Sequence, residues 1–319
     1  MNNSRQKKAL IVVGIPTLYA VVLRSLFGIK QWNELFTVMS ISFLFCLPTV
    51  AGILIVYFST EANARKLAYR IFAPWIPIFL FFFITLSTRL EGWACWMMIM
   101  PLFLLAASVG GLIGGYFKFK KRTNKMHLSA LSLVPIPLAP AEKMINAVPR
   151  TYEAVTYIDI QAPAEKIWSN VTRVYPIKEA QDKGWLTKLL GLPRPVEAIL
   201  NYEGIDASRE ARFTNGLVFH ETVTEYTDKQ KMVFSIKAYP HEIPSTTMDE
   251  HIVIGGKYFD VLKGTYELER LNNTTHRLHL CSRFQLTTTF NFYAGWWAKW
   301  IMKDIQNSIL QIEKRRSEN

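Results

Sequence analysis

Acidic side chains are almost missing from the first part of this chain. Residues 1–125 carry three, Glu34, Glu61 and Glu91, against 14 Lys and Arg, whereas residues 126–319 carry 22 against 23. The formal +12 of the 319-residue chain is therefore a property of one half. Because that half also holds the long apolar runs, its charge reads as membrane topology, and a nucleic-acid footprint is not expected. Cysteine is scarce as well. Of three, Cys46 and Cys95 lie inside apolar runs and Cys281 stands alone in a strand-like segment, which excludes a disulfide framework and a metal cage. A Gly-rich phosphate loop, a nucleophile elbow, paired catalytic carboxylates and Cys/His sets at metal spacing are all missing, so no metal and no cofactor is expected. With half of its residues apolar, the chain is not a disordered one.

What the first half does have is apolar length. Four stretches, residues 9–27, 36–58, 71–86 and 93–117, come close to or exceed the roughly 20 residues of helix that cross a hydrocarbon core. Arg24 interrupts the place where a signal-peptide cleavage site would fall, so the N-terminus is expected to be retained. Arg5, Lys7 and Lys8 precede the first span, Arg65, Lys66 and Arg70 follow the second, and Lys118, Lys120, Lys121, Arg122 and Lys125 follow the fourth. The other two loops hold only Arg24, Lys30 and Arg89. This asymmetry predicts a multi-pass integral membrane protein with its N-terminus and everything after Lys125 in the cytoplasm. Arg24 and Arg89 lie near span ends, where they are expected to snorkel to the interface, and so little intramembrane charge argues against a pump or channel. Gly110, Gly111, Gly114 and Gly115 form two overlapping small-xxx-small pairs, suited to packing inside the bundle or to a homodimer face.

Residues 1–120 thus read as a transmembrane domain, 121–150 as a basic, proline-rich juxtamembrane connector and 151–319 as a separate domain. Pro135, Pro137, Pro140 and Pro149 predict that the connector is extended and stiff. After residue 150 the apolar period changes to two. Strands are expected over residues 152–160, 207–213, 218–226, 231–238, 248–261 (interrupted at Gly255-Gly256), 263–270 and 276–287. Helices are expected after Pro163, over 178–190 and, as one long terminal element, over 293–316. Consecutive strands with short connections argue for an antiparallel sheet in an α+β domain, its concave face covered by the terminal helix.

That order, with IDIQAPAEKIW (residues 158–168), NGLVFHETVTEY (215–226), FDVLKGTYELE (259–269) and HRLHLCSRFQLTTTFNFYAGWWAKWIMKDIQNSIL (276–310), resembles the START-like superfamily. This superfamily includes polyketide cyclase/dehydrase-like proteins, Bet v 1 allergens and lipid-transfer domains. The resemblance spans about half of the chain, leaves out the four-span region, and implies a helix-grip fold: a curved antiparallel sheet gripping a long C-terminal helix. It further implies a cavity between sheet and helix that holds a hydrophobic or amphipathic small molecule.

Strand alternation names one wall of such a cavity. Leu278, Leu280, Ser282, Phe284 and Leu286 share one side of the last strand and are expected to face inward, with Tyr266 and Leu268 from one neighbour and Phe234, Ile236 and Ala238 from another. The same residues would serve equally as ordinary core. Polar members such as Ser282 and Tyr266 on an apolar wall fit a small-molecule pocket. On the terminal helix, Trp296 and Trp300 are four apart and join the ligand-facing set. Part of the surrounding cluster of Phe292, Tyr293 and Trp297 must seal the sheet, and any exposed tryptophan would suit a membrane interface. His220-Glu221 invites an acid/base reading, but neighbours in a strand point to opposite faces, so both are expected to be solvated, as is His241-Glu242 in a loop. Arg283 falls in the outward phase and is expected in a surface ion pair. Ligand-binding residues are therefore Phe234, Ile236, Tyr266, Leu268, Leu280, Ser282, Phe284, Leu286, Trp296 and Trp300.

The expected function is a membrane-anchored binding protein whose cytoplasmic domain holds a hydrophobic, lipid-like small molecule for sensing, presentation or local transfer, with membrane lipids as its surroundings. The alternatives are a cyclase/dehydrase-type enzyme acting on a lipid-like substrate through Tyr266, Ser282 and His220, and an interaction protein with a filled cavity. Without an enzyme signature, binding is the favoured expectation.

Overall fold

The computed structural model describes residues 2–32, 36–120, 125–144, 147–243 and 253–319, and in it the chain divides into two compact units, Met1–Ala147 and Val148–Asn319. The described secondary-structure elements of the first unit are all helical. The unit contains α1 (Asn2–Phe27), a π-helical turn (Ser42–Cys46) running directly into α2 (Leu47–Phe58), α3 (Glu61–Ala64), α4 (Leu67–Phe72), α5 (Trp75–Ser87), α6 (Trp93–Phe119), α7 (Lys125–Leu133) and α8 (Pro135–Lys143).

Among the described residues, three helical segments are long and apolar enough to cross a membrane: Ala9–Phe27, Leu67–Ser87 and Trp93–Phe119. The expected second span is shorter, reaching only from Ser42 to Phe58. Its start is set by a carboxylate, because Glu142 of α8 accepts hydrogen bonds from the backbone amides of Ile41 at 2.7 Å and Ser42 at 3.0 Å. Ser42 in turn donates its hydroxyl to the Pro135 carbonyl at 2.7 Å. An anion at a helix N-terminus satisfies donors that the helix itself leaves open and complements its dipole.

Short as it is, this helix runs parallel to α6. Thr49 lies against Ala106 and Gly110, Gly52 against Ala107 and Gly111, and Ile53 against Gly114, so the two helices advance in the same chain direction. Lys118 at the end of α6 donates to the Tyr57 carbonyl at 2.7 Å. Segment Leu67–Ser87 runs the other way along α6, with Trp75 Nε1 donating to Ser108 Oγ at 2.9 Å near one end and Phe81 meeting Trp96 edge-on at 5.4 Å near the other. All four glycines of α6 are used inside this chain: Gly110 and Gly114 face α2, while Gly111 and Gly115 face Arg70 of α4.

Two expectations change here. Arg24 does not snorkel. It is buried, with Nε 2.5 Å from a buried Glu91 carboxylate and Nη2 donating to the Leu90 carbonyl at 2.7 Å, because desolvating the cation requires an anion on the neighbouring loop. The connector is not extended. Pro135 stands at the break between α7 and α8, in the first turn of α8 where a missing N–H costs nothing, while Pro137 and Pro140 lie within α8 itself.

The second unit is a single curled antiparallel sheet. β1 (Arg150–Ile160) is followed by α9 (Ala164–Thr172), α10 (Trp185–Leu190), β2 (Pro195–Leu200), β3 (Ser208–Phe213), β4 (Val218–Thr227), β5 (Lys231–Lys237), β6 (Phe259–Arg270), β7 (His276–Leu286) and α11 (Asn291–Glu318). The strand order is β1-β7-β6-β5-β4-β3-β2, a half-barrel that the 28-residue α11 fills along its length. This is an α+β helix-grip architecture. β2 was not expected from the sequence, and residues 259–270 form one strand with a bulge between Val261 and Lys263 where two runs had been expected. Part of the expected strand over 248–261 lies outside the described residues.

Alternation sets which side of the sheet faces α11. His276, Leu278, Leu280, Ser282, Phe284 and Leu286 are buried along β7, and Tyr266 and Leu268 along β6. Gly264 stands directly opposite Phe234 of β5, whose ring covers the place a Cβ would take.

The close approach of α2 to α6 is backbone to backbone: a Cβ on Gly110 would come within 1.9 Å of the Thr49 carbonyl oxygen, while one on Gly14 of α1 would meet nothing within 4 Å. Gly110→Ala is expected to lower the thermal midpoint of the detergent-solubilised chain, by overpacking worth about 1–3 kcal/mol, whereas Gly14→Ala leaves it unchanged or raises it. Equal midpoints for the two variants would remove this packing account.

Candidate functional site

The concave face of the sheet carries two buried polar stations, each facing α11. The first is built on Gln306. Its side-chain nitrogen donates to the Ala154 carbonyl at 3.0 Å and to Ser282 Oγ at 2.9 Å, and its oxygen accepts from Thr156 Oγ1 at 3.1 Å. Every polar atom of this buried amide is thereby satisfied, and it ties the middle of α11 to β1 and β7.

The second station, two helical turns further along at about 10 Å, centres on Glu313. Across from it, Arg209 of β3 and Glu221 of β4 are directly paired in register and form a buried ion pair. Arg209 also donates Nε to the Thr172 carbonyl at 3.2 Å, hydrogen-bonds Tyr266, and lies over the Phe234 ring at 5.1 Å. Burial pushes the Glu221 carboxyl up, against the charge and hydrogen bond of Arg209, which pull it down. The Tyr266 hydroxyl is pushed up to about 12, first by burial. Glu313 is fully buried and neither carboxyl oxygen has a hydrogen-bond partner; Arg316 stands 3.7 Å from one of them. Burial pushes this carboxyl up to about 8, with Arg316 and Arg209 acting in the opposite direction. Phe234, Ile236, Leu268, Leu280 and Leu310 belong to the buried apolar core of the same unit.

The expected ligand-facing residues divide. Phe234, Ile236, Tyr266, Leu268, Leu280, Ser282, Phe284 and Leu286 are buried between sheet and helix. They also touch one another and their neighbours: Tyr266 packs on Phe234, Phe284 on Tyr152 and Phe259, and Ser282 on Gln306. Trp296 and Trp300 do not belong with them. They are 56 % and 36 % exposed, because the buried stripe of α11 runs through Gly295, Gln306, Leu310 and Glu313 and turns these two outward.

Of the acid/base pairs, His220 lies on the outer face, with Nε2 2.9 Å from Glu242. Glu221 is the opposite of solvated, since it shares the inward phase of Phe219 and Val223. Arg283 makes the expected exposed ion pair with Glu153. Glu313, Gln306 and Arg209 were not singled out in the sequence. The signal for Glu221 was its phase, and for Arg209 its position two residues before the buried Ala211; for Glu313 and Gln306 it was a spacing of seven on the terminal helix.

An open groove of about 670 Å³ lies elsewhere, lined by Thr151, Tyr152, Glu153, Leu262, Arg283 and Lys299, none of them from the expected ligand-facing set. Among the described residues no group of three or more His, Cys, Asp or Glu could hold a metal ion.

No family model and no curated protein matches the chain. Solved structures do resemble it over the C-terminal half. A START superfamily protein from Mycobacterium smegmatis is 11 % identical, covers 52 % of this chain and 97 % of its own, and superposes with a TM-score of 0.34. For norcoclaurine synthase from Thalictrum flavum, solved with dopamine and hydroxybenzaldehyde, the values are 12 %, 53 %, 90 % and 0.31. For a protein from Nitrosospira multiformis they are 18 %, 52 %, 96 % and 0.31. The helix-grip description rests on the strand order and on α11 themselves.

Glu313 gives the site a pH signature. An unfolded chain ionises this carboxyl near 4.5, whereas the folded unit keeps the proton up to about 8. Between those values the unfolded state binds fewer protons, so stability is greatest below the window and falls as pH rises through it. Glu313→Gln, which keeps a neutral side chain of similar shape, is expected to flatten the fall. Thermal midpoints of the C-terminal unit measured between pH 5 and 8 test this; a wild-type profile parallel to that of the variant would show that Glu313 ionises freely.

Proposed function

We propose that this chain is a membrane-anchored binding protein whose helix-grip unit holds an amphipathic, lipid-like molecule between the sheet and α11. The observation that carries this reading is the Glu313 carboxyl, buried in an apolar cluster without a hydrogen-bond partner and facing an Arg209–Glu221 pair. A buried ion pair seldom stabilises a fold better than apolar residues of the same volume, and each unsatisfied buried group costs on the order of 1–3 kcal/mol. Retaining Glu313, Arg209, Glu221 and Tyr266 in a space that Leu and Phe would fill suits recognition of a polar end group. The apolar body of such a molecule would lie along Phe234, Ile236, Leu268, Leu280, Phe284 and Leu286, with Tyr266 and Ser282 at its polar positions.

Anchoring is supported by the three long apolar helices and by the parallel course of α2 and α6. In our reading Ser42–Phe58 crosses beside α6, making four passes, and the basic flanks put both termini in the cytoplasm. Holding a binding domain at the bilayer raises its effective concentration near lipid-soluble molecules, as local sensing, presentation or transfer requires. A second reading, an enzyme of the cyclase/dehydrase kind, draws on a carboxyl titrating near neutral pH, where it would serve as a general acid.

Native mass spectrometry of the full chain in mild detergent, with analysis of its organic extract, tests the proposal. A molecule enriched over bulk lipid is expected in the wild type and is expected to drop severalfold in Ile236→Trp, which fills the interior. Identical extracts from the two proteins would sink the binding reading and favour a filled grip acting as an interaction domain. Chemical conversion of the bound molecule that stops in Glu313→Gln would favour the enzyme.

A further inference from the structure

We propose that α10 and the first half of α11 form a docking face by which the C-terminal unit lies against an anionic lipid bilayer. The face is aromatic and open to solvent. Trp185 is 57 % exposed, Leu189 47 %, Phe292 69 %, Trp296 56 % and Trp300 36 %. The rings form one continuous patch, with Trp185 5.7 Å from Trp300 and Trp296 5.2 Å from Trp300. The two helices are fixed to each other by Asp304, which accepts from the Thr187 backbone amide at 2.9 Å and hydroxyl at 3.0 Å, so the patch is carried on a stiff platform.

The chemistry around the rings selects the occupant. Lys188 shares the exposed face of α10 with Trp185 and Leu189, and Lys299 and Lys303 share the stripe of α11 with Phe292 and Trp296, all of them exposed. Asp304, the one acid on these turns, is spent on Thr187. Lysine is depleted from protein–protein interfaces, whereas tryptophan flanked by lysine is the composition of a surface that sits at the headgroup level of anionic membranes. A bilayer is available to the same chain through its long apolar helices. The inference deepens the proposed anchoring and rests on it for the nearby membrane, while it is independent of what the grip holds.

The test uses the full chain in vesicles of phosphatidylcholine doped with phosphatidylglycerol, with Cys46, Cys95 and Cys281 replaced by alanine and a nitroxide placed through Phe292→Cys or, as a control on the β6–β7 turn, Thr274→Cys. Relaxation by oxygen is expected to exceed that by a water-soluble nickel chelate at position 292 and to be the weaker of the two at 274. Adding Lys299→Glu and Lys303→Glu is expected to return the 292 label to the nickel-accessible state. Nickel dominance at both positions would overturn the proposal. So would a 292 label shielded from both reagents, which means protein covers the patch, or a label indifferent to the two charge reversals. Extraction with alkaline carbonate reads the anchoring separately: release of the chain would overturn that reading whatever the label reports.

Discussion

The C-terminal unit depends on how α11 is fastened across the sheet. A half-barrel leaves its concave face open, and an apolar helix alone would be free to slide along it. Gln306 removes that freedom by bonding Ala154 and Thr156 of the edge strand and Ser282 of its neighbour in one buried amide. Such a network is worth having only when every member is satisfied, as here. The register it fixes then determines the rest: Glu313 is carried over Arg209 and Tyr266, Asp304 is placed to hold α10, and Trp296 and Trp300 are turned away from the interior.

Along one helix, therefore, the same side chains that fill the grip also decide which residues remain outside. The buried stripe passes from Gly295, where the Tyr152 ring leaves no room for a Cβ, to Ser317. Gly295 lets the N-terminal end of α11 approach β1 closely, and that approach leaves Trp296 and Trp300 outside. An aromatic cluster that looked like one feature in the sequence is thus divided by geometry: Trp297 is buried, while its two helical neighbours form the exposed patch.

Strand phase was the most legible property of this sequence. Leu278 to Leu286, Tyr266, Leu268 and Phe234 alternate so regularly that their common face could be named without coordinates. Glu221 was misjudged because its chemistry was weighed ahead of its phase; sitting between Phe219 and Val223, it had to point inward, and a buried anion then required the cation directly across on β3. Helical residues were harder. On α11 the apolar content is spread around the circumference, and the face against the sheet is marked by small and polar residues such as Gly295, Gln306 and Glu313, which period and hydropathy alone pass over. In the first unit, apolar length foretold the helices, but Glu142 lies about a hundred positions from the amides that it caps, and no local pattern announces so distant a partner.

The two units solve the problem of buried charge in different ways. Arg24 in the helical unit is matched by Glu91 and a carbonyl, which returns much of the cost of removing a guanidinium from water. In the grip the account stays open: Arg209 and Glu221 satisfy each other, yet Glu313 faces them without a hydrogen bond of its own. A carboxyl in that position avoids the larger cost by keeping its proton, and a protonated carboxyl both donates and accepts. The buried carboxyl that faces the Arg209–Glu221 pair with hydrogen-bonding capacity to spare is thus also one whose charge state answers to pH near neutrality, so anything that binds beside it is coupled to a proton.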